Sequence, residues 1–154
     1  MATLKLPTET DYDFILIGVS SNMPDYRICW AINNALFLQL EKVDDYELFD
    51  KQKKISAPDL FEKNHQSTFS HYMEENEETF CSYHLLSNIG TGVALVPEHK
   101  KVNYLLLVKG PITKSEKREM LENLNAVSLV TSAYEIEVSE INSKKNLIDI
   151  FNSY

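Results

Sequence analysis

The stretch Phe14-Ile-Leu-Ile-Gly-Val19 decides most of what this 154-residue chain can fold into. It is a continuous apolar run of strand length, rich in β-branched residues, which is typical of a central strand covered on both faces. The run ends in the loop Ser20-Ser-Asn-Met-Pro24, and from 25 to 40 apolar residues recur at the spacing of one helix face. We therefore predict a buried strand followed by an amphipathic helix that starts at Pro24 and carries Trp30 beside its apolar stripe, as a core or partner-contact residue.

After this helix the sequence predicts a mostly antiparallel sheet. Extended patterns occur at 40–49, 68–73, 79–86, 93–96, 102–108 and 127–138, and a last segment at 146–151 is expected to dock on them. The polar stretch 51–66 is expected to be a surface excursion with one turn of helix after Ser56. A hairpin turn centred on Asn76 would place His71 and Cys81 opposite each other on the core face of the sheet.

A second helix starts at the clearest local signal in the chain, Thr113-Lys-Ser-Glu116. This matches the capping box, in which the Thr hydroxyl and the Glu carboxylate each accept a hydrogen bond from an otherwise unpaired backbone N–H. The resulting order of elements predicts one α+β domain over 1–154, with two main helices on one face of a mostly antiparallel sheet. A ferredoxin-like split βαβ arrangement is compatible with this order.

The charge balance argues against a nucleic-acid partner. The chain has 15 Lys and Arg against 23 Asp and Glu, a formal charge of −8, and its short basic clusters are interleaved with acids. Residues 1–10 contain no apolar targeting segment, and no apolar run approaches the roughly 20 residues of a membrane span. Cys29 and Cys81 lack the spacing of a disulfide framework, so we predict an acidic cytoplasmic protein that is not bound to a membrane.

No set of residues in the sequence predicts catalysis. The chain has no P-loop, dinucleotide-binding or nucleophile-elbow motif. A dyad of Cys81 with His71 is one hypothesis, but both residue types are ordinary core residues on an apolar face. Cys81-x-x-His84 has the spacing of a metal motif, yet residues three apart on a strand project from opposite faces. We therefore predict no catalytic residue, no metal site and no cofactor.

The segment Leu95-Val-Pro-Glu-His-Lys-Lys-Val-Asn-Tyr104 resembles the signature of the IPExxxVDY family of small bacterial proteins. The letters of that name are matched by Pro97, Glu98, Val102 and Tyr104. Val96 stands in place of the isoleucine, and Asn103 in place of the aspartate. The resemblance implies no particular activity, and Asn103 has no carboxylate with which to act as a base. Glu98 is expected either to fix the turn or to face a ligand, and Tyr104 to bury its ring.

The sequence thus favours a non-enzymatic binding or interaction module whose partner is a second copy, another protein or a small ligand. The predicted binding residues are Pro97, Glu98 and Tyr104. The alternative is a small metabolite-binding regulator or enzyme that uses the Ser20–Asn22 loop together with Glu98. Such a strand-to-helix loop can present hydroxyl and N–H groups to an anion, although the same residue types commonly just cap the helix.

Overall fold

The structure, a computed structural model, describes residues 14–49, 66–90 and 93–152. Its strands are β1 (Phe14–Ser20), β2 (Glu41–Phe49), β3 (Gln66–Asn76), β4 (Cys81–Ser87), β5 (Tyr104–Lys109) and β6 (Ser132–Ile136). Its α-helices are α1 (Asp25–Leu36), α2 (Lys114–Asn125) and α3 (Lys145–Asn152). The excursion expected over 51–66, except for Gln66, and the N-terminal segment 1–10 lie outside the described residues.

The six strands of this described part form one antiparallel sheet in the order β2-β3-β4-β5-β1-β6. This confirms the predicted α+β class. The β5-α2-β6 unit is a split βαβ motif, because its two parallel strands have β1 between them. In the β1-α1-β2 unit three strands lie between the parallel pair. Without the β3–β4 hairpin the order would be β2-β5-β1-β6, so the sheet is a ferredoxin-like arrangement widened by one hairpin.

Both faces of the sheet are covered, as the apolar run of β1 predicts. Helices α1 and α2 contact each other and cover one face, where Ile28 and Leu124 share a buried cluster with Leu106. Helix α3 covers the other face, where Leu147 shares a cluster with Leu107. Because side chains alternate along a strand, β1 and β5 contribute to both clusters. The two main helices therefore lie on one face, and the short third helix lies on the other.

Local signals set the helix ends. The capping box of α2 is confirmed, since Thr113 Oγ1 accepts from the Glu116 N–H at 3.0 Å and Glu116 Oε1 accepts from the Thr113 N–H at 2.9 Å. Helix α1 begins one residue later than predicted, at Asp25, with Pro24 as its N-cap. It ends before Phe37, short of the predicted end, because that residue adopts a left-handed backbone with a φ of 58°.

The β3–β4 turn spans 77–80 and is not centred on Asn76. The last pair of the hairpin joins Asn76 to Cys81. The side-chain oxygen of Asn76 accepts hydrogen bonds from the N–H groups of Glu78 at 2.9 Å and Thr79 at 3.2 Å, so this residue initiates the turn. Asn76 is therefore the end of β3 rather than the midpoint of the connection.

This turn changes which side chains share a face of the sheet. The register pairs His71 with Leu86 and Met73 with His84. His71 therefore lies on the same face as His84, whereas Cys81 lies on the opposite face. The predicted juxtaposition of His71 and Cys81 is wrong, because a register shift by an odd number of residues moves the side chains to the other face. The prediction that Cys81 and His84 project from opposite faces is confirmed.

Two of the expected strands are shorter than predicted. Within 93–96 the structure has only an isolated bridge between Ile89 and Ala94. The hydrogen bond that a neighbouring strand would offer the Val96 N–H comes instead from the Asn88 side chain, at 2.8 Å. The extended pattern at 127–138 narrows to β6, and the docking segment expected at 146–151 lies within α3.

Candidate functional site

The segment 95–104, which carries the family resemblance, is held in place by the fully buried side chain of Asn88. The amide nitrogen of Asn88 donates to the carbonyl oxygens of His99 at 3.0 Å and Val102 at 2.9 Å. Its side-chain oxygen accepts from the Val96 N–H. Because buried backbone groups require hydrogen-bond partners, one asparagine thus gives this irregular segment a fixed conformation.

Pro97 and Glu98 lie at the surface on one 3₁₀ turn. The Glu98 carboxylate accepts hydrogen bonds from the Ser143 hydroxyl at 2.7 Å, the Asn142 N–H at 2.7 Å and the Ser143 N–H at 3.2 Å. These groups begin the turn that leads into α3. Burial acts to raise the pKa of Glu98, but the hydrogen bonds outweigh it and hold the pKa below its ordinary value. The ionised carboxylate therefore caps a backbone turn of its own chain.

Residues 102–104 of the segment contact β1 and the connection from β1 to α1. Tyr104 is 8% exposed, and its hydroxyl donates to a backbone carbonyl of this connection at 2.5 Å. Asn103 Oδ1 accepts from the Ser21 N–H at 2.8 Å. Val102 packs against Gly18, where a Cβ atom would lie 2.9 Å from a methyl group of the valine. The segment thus joins β1, the β1–α1 connection and the start of α3.

The structure brings the three predicted binding residues together only in part. Pro97 and Glu98 are neighbours on an exposed turn, whereas Tyr104 lies in the core. Glu98 and Tyr104 each make a hydrogen bond to a segment that is distant in the sequence. Their structural roles are therefore defined, and a binding role for these residues stays a prediction.

The Ser20–Asn22 loop of the alternative hypothesis also bonds within the chain. The Ser21 hydroxyl donates to the carbonyl oxygen of Leu129 at 2.7 Å and accepts from the Met23 N–H at 3.1 Å. These groups are therefore engaged by the protein itself. Glu98, the other member of that hypothesis, bonds to the start of α3 instead. The loop and the carboxylate thus interact with different segments of the chain.

His71 and His84 form a buried pair on the face covered by α3. Their Nε2 and Nδ1 atoms lie 2.8 Å apart, and the His84 ring contacts Phe151 of α3 with the ring centres 5.2 Å apart. Burial lowers the pKa of His71 to about 4 and that of His84 to about 3. Both rings are therefore neutral at pH 7 and share one hydrogen bond. Within the described ranges no group of three or more His, Cys, Asp or Glu side chains is placed to hold a metal ion.

Among the residues that the structure describes, the most exposed apolar side chains lie along α1, directly after it and on the β3–β4 turn. Tyr26 and Trp30 are each 64% exposed and lie about one helical turn apart on the outer face of α1. Phe37, directly after this helix, is 89% exposed, and Phe80, at the end of the turn, is 78% exposed. We call these four residues the aromatic surface.

Phe37 and Phe80 also share an unusual backbone. They are the two non-glycine residues of the described chain with a positive φ, at 58° and 60°. A left-handed backbone destabilises a residue that carries a Cβ atom by about 1–2 kcal/mol, and glycine or asparagine adopts it more readily. Each phenylalanine therefore has both a strained backbone and an apolar ring in water. Neither of these two features stabilises the fold.

Two open cavities border the β3–β4 turn. The first, of about 280 Å³, lies between Phe37, Tyr83 of β4 and Met120 of α2, and we call it the Phe37 cleft. The second, of about 420 Å³, lies beside Phe80, and we call it the Phe80 hollow. Cys81 lines both cavities. The aromatic surface therefore ends in two recesses at one end of the sheet.

Acidic side chains border both recesses. Glu116 and Glu119 line the Phe37 cleft, and Glu75 and Glu77 line the Phe80 hollow. Among the described residues that line the two recesses, the one basic side chain is Lys109 of the Phe80 hollow, whose ammonium lies 5.0 Å from the ring centre of Phe151. The Phe37 cleft therefore has a negative rim around an apolar floor, whereas the Phe80 hollow has acidic residues and one lysine among its described lining residues.

The surroundings of the Phe37 cleft shift the pKa of Tyr83, which lies on its floor. Burial raises the pKa of Tyr83 to about 12, with smaller contributions from Cys81 and from the carboxylates of Glu74 and Glu116. Negative charge near the cleft thus disfavours a further anion. The end of α1 adds to this field, because it has no basic residue in its last turn and its carbonyl groups form the negative end of the helix dipole.

Sequence reasoning did not single out Phe37 or Phe80. Phe37 stands between two leucines, so its apolar character resembles that of the neighbouring core residues. The exposed fraction of a side chain depends on tertiary packing, which the apolar pattern does not give. One signal was present at Trp30, which lies beside the apolar stripe of α1 and not within it.

No family model matches the chain, and neither the curated proteins nor the solved structures include a significant match to it. The resemblance of 95–104 to the IPExxxVDY signature therefore stays a prediction. Among the helices of the described segments, none has the length and apolar character needed to cross a lipid bilayer.

Proposed function

We propose that the protein is a non-enzymatic interaction module that binds another protein through its aromatic surface. The observation that carries this proposal is the pair Phe37 and Phe80, two aromatic rings 89% and 78% exposed on left-handed backbone. Local conformations that destabilise the fold concentrate at sites of function. Elsewhere in a protein, a residue that adopts the same backbone conformation with less strain serves the fold equally well. At these two positions, glycine or asparagine would adopt the left-handed backbone with less strain.

The composition of the surface supports a protein partner. Aromatic residues are enriched at the centres of protein interfaces, and tryptophan and tyrosine are frequent among the residues that dominate binding energy. Trp30 and Tyr26 extend the surface along α1 from the end marked by Phe37. Burying these four rings would remove from water an apolar area that the isolated chain leaves exposed.

The size and lining of the Phe37 cleft support the same conclusion. Small-molecule sites are typically about 300–1,000 Å³ and gather a few convergent polar groups. The Phe37 cleft, at about 280 Å³, is at the lower end of that range and has an apolar floor. It fits one or two side chains of a partner better than a cofactor. This comparison applies to the Phe37 cleft alone, because the Phe80 hollow, at about 420 Å³, lies within the range of small-molecule sites.

The alternative, a metabolite-binding regulator or enzyme at Ser20–Asn22 and Glu98, has less support. The Ser21 hydroxyl and the Glu98 carboxylate both bond to the chain itself. A ligand there would have to replace those hydrogen bonds. A cytoplasmic location is supported by Cys29 and Cys81, two unlinked thiols of the kind that a reducing compartment maintains.

The proposal is tested by comparing three chains as bait in a lysate of the source cells. They are the natural chain, the double variant Phe37→Asn/Phe80→Asn, and the control Tyr134→Ser. Tyr134 is a suitable control because it is aromatic and 41% exposed but lies on β6, outside the aromatic surface. We expect a partner that is retained by the natural chain and the control and is lost from the double variant. A partner retained equally by all three chains would contradict the proposed surface.

A further inference from the structure

We infer that the Phe37 cleft takes a cationic, apolar polypeptide segment, in which an aliphatic or aromatic side chain fills the cleft and a neighbouring Lys or Arg pairs with its acidic rim. This inference rests on the proposed function and specifies the chemistry of the partner. It depends on the shape of the cleft, the charges around it and the charge of the whole chain.

The first argument is the lining of the cleft. Its floor and walls include the apolar or aromatic side chains of Leu36, Leu38, Tyr83, Ile112 and Met120. Phe37 forms an exposed wall on one side, and Glu116 and Glu119 of α2 lie on the other. An apolar side chain that enters the cleft therefore leaves the adjoining residues of its own chain next to the carboxylates.

The second argument is the distribution of charge. Glu116 and Glu119 line the Phe37 cleft, and none of its described lining residues is basic. Lys109 lines the Phe80 hollow instead, on the face of the sheet that it shares with Glu75 and Ser82. On α2 itself, Lys117 pairs with Glu135 of β6 at 2.9 Å and so points away from this rim. Neither Lys109 nor Lys117 therefore neutralises the carboxylates of the Phe37 cleft. A positive partner gains attraction there, and an anionic ligand or a nucleic acid is repelled.

The third argument distinguishes a different protein from a second copy. A symmetric dimer through this end would bring the same acidic rims of two chains together. Each chain also has a formal charge of −8, so the two copies repel each other over a longer range. A foreign segment with basic residues meets neither penalty. The occupant is therefore a heterologous cationic segment.

The test is selection of short random peptides displayed on phage against the immobilised full chain, followed by synthesis of the selected peptides and titration by fluorescence anisotropy. We expect selected peptides to combine Lys or Arg with Leu, Ile, Met or an aromatic residue. Phe37→Asn should weaken their binding by at least about tenfold, since the variant removes an anchor of the cleft. Glu119→Lys should weaken it by about three- to tenfold, and the effect should diminish between about 0.05 and 0.5 M salt.

Two matched controls lie outside the cleft. Tyr134→Ser removes an exposed aromatic ring from β6, and Glu140→Lys reverses an exposed acid near α3. Both should leave binding within about twofold of the natural chain, because neither side chain lines either recess. If Glu140→Lys weakened binding as much as Glu119→Lys does, the attraction would depend on the net charge of the chain and not on the rim of the cleft. That result would overturn the inference.

The outcomes separate the inference from the function on which it rests. Neutral or acidic peptides that bind and depend on Phe37 would overturn the cationic segment and leave the interaction module standing. Peptides that bind independently of Phe37, or a selection that yields none, would contradict both. Light scattering that finds a dimer of the natural chain but a monomer of Phe37→Asn would assign the surface to a second copy and overturn the inference.

Discussion

Two regions of this protein use polar and apolar groups in opposite ways. In the segment 95–104, Glu98 and Tyr104 bond to distant parts of the same chain, and the buried side chain of Asn88 holds the segment itself. At the other end of the β4 strand, Phe37 and Phe80 project into water from left-handed backbone. In the first region the side chains stabilise the fold. In the second region the strained backbone and the exposed rings do not.

This difference indicates which of the two regions carries the evidence for binding. A segment whose side chains join β1, α1 and α3 is explained by folding alone. Exposed rings on strained backbone are not explained by folding, because other residues would stabilise the same turn better. The resemblance in sequence and the candidate binding surface therefore fall in different places.

The largest effect is expected at the centre of the first region. Asn88→Ala removes the partners of the Val96 N–H and of the Val102 carbonyl, which are then buried without a hydrogen bond. We expect the free energy of unfolding in urea to fall by about 3–5 kcal/mol, since each orphaned group costs about 1–3 kcal/mol. The matched control is Asn22→Ala, an exposed asparagine in the β1–α1 connection, which should change it by less than about 0.5 kcal/mol. Equal losses in both variants would remove the claim that this segment serves the fold.

Acid should destabilise the face covered by α3. The pKa of His71 is about 4 and that of His84 about 3 in the folded chain, whereas an unfolded histidine titrates near 6.5. Below pH 6.5 the unfolded chain therefore binds protons that the folded chain does not, and stability falls as the pH falls. Between pH 7 and 5 the free energy of unfolding should decrease by about 2–4 kcal/mol from this pair.

The control for this prediction is the double variant His71→Gln/His84→Gln, which keeps two hydrogen-bonding side chains and does not titrate. The stability of this variant should decline less between pH 7 and 5, because the two histidines no longer titrate. Any decline that remains comes from carboxylates, which are common to both chains. Parallel declines would show that the histidine pair is not the cause. The aromatic surface should bind its partner equally in both chains at pH 7, since the pair lies away from it.

A smaller effect is expected from the cap of α3. Glu98→Ala removes the acceptor of the Asn142 and Ser143 groups, which should lower the free energy of unfolding by about 1 kcal/mol. Glu98→Gln should recover part of this loss, because its amide oxygen still accepts a hydrogen bond. Hydrogen exchange of the α3 amides measures the same change locally. If Glu98→Ala leaves both quantities unchanged but abolishes partner binding, the roles of the two regions are reversed.

Much of the fold followed from local signals that agree with the tertiary structure. The apolar run of β1 predicted a strand covered on both faces, and Thr113 and Glu116 predicted the start of α2. In both cases the information lies within a few residues. The hairpin failed for the opposite reason, since the face of every side chain depends on the turn length and an error of one residue reverses it.

The candidate site was harder to predict than the fold. An isolated bridge replaced the strand expected at 93–96 because Asn88 supplies a hydrogen bond that no local pattern reveals. The exposure of Phe37 and Phe80 depends on which neighbours cover them in the folded chain. Their sequence context, among leucines and beside Cys81, is that of ordinary core residues. The exposure that distinguishes these two rings from core residues is visible only in the folded structure.

Whether Phe37 and Phe80 serve binding or the fold can be tested without a partner. It is the free energy of unfolding of Phe37→Asn/Phe80→Asn, compared with that of Phe69→Ala, which truncates a phenylalanine that is 1% exposed in the core. The core variant should lose about 3–5 kcal/mol. The double variant should equal the natural chain or gain about 1 kcal/mol, because asparagine adopts the left-handed backbone more readily. A loss of about 2 kcal/mol or more in the double variant would show that these rings serve the fold, and would contradict the account.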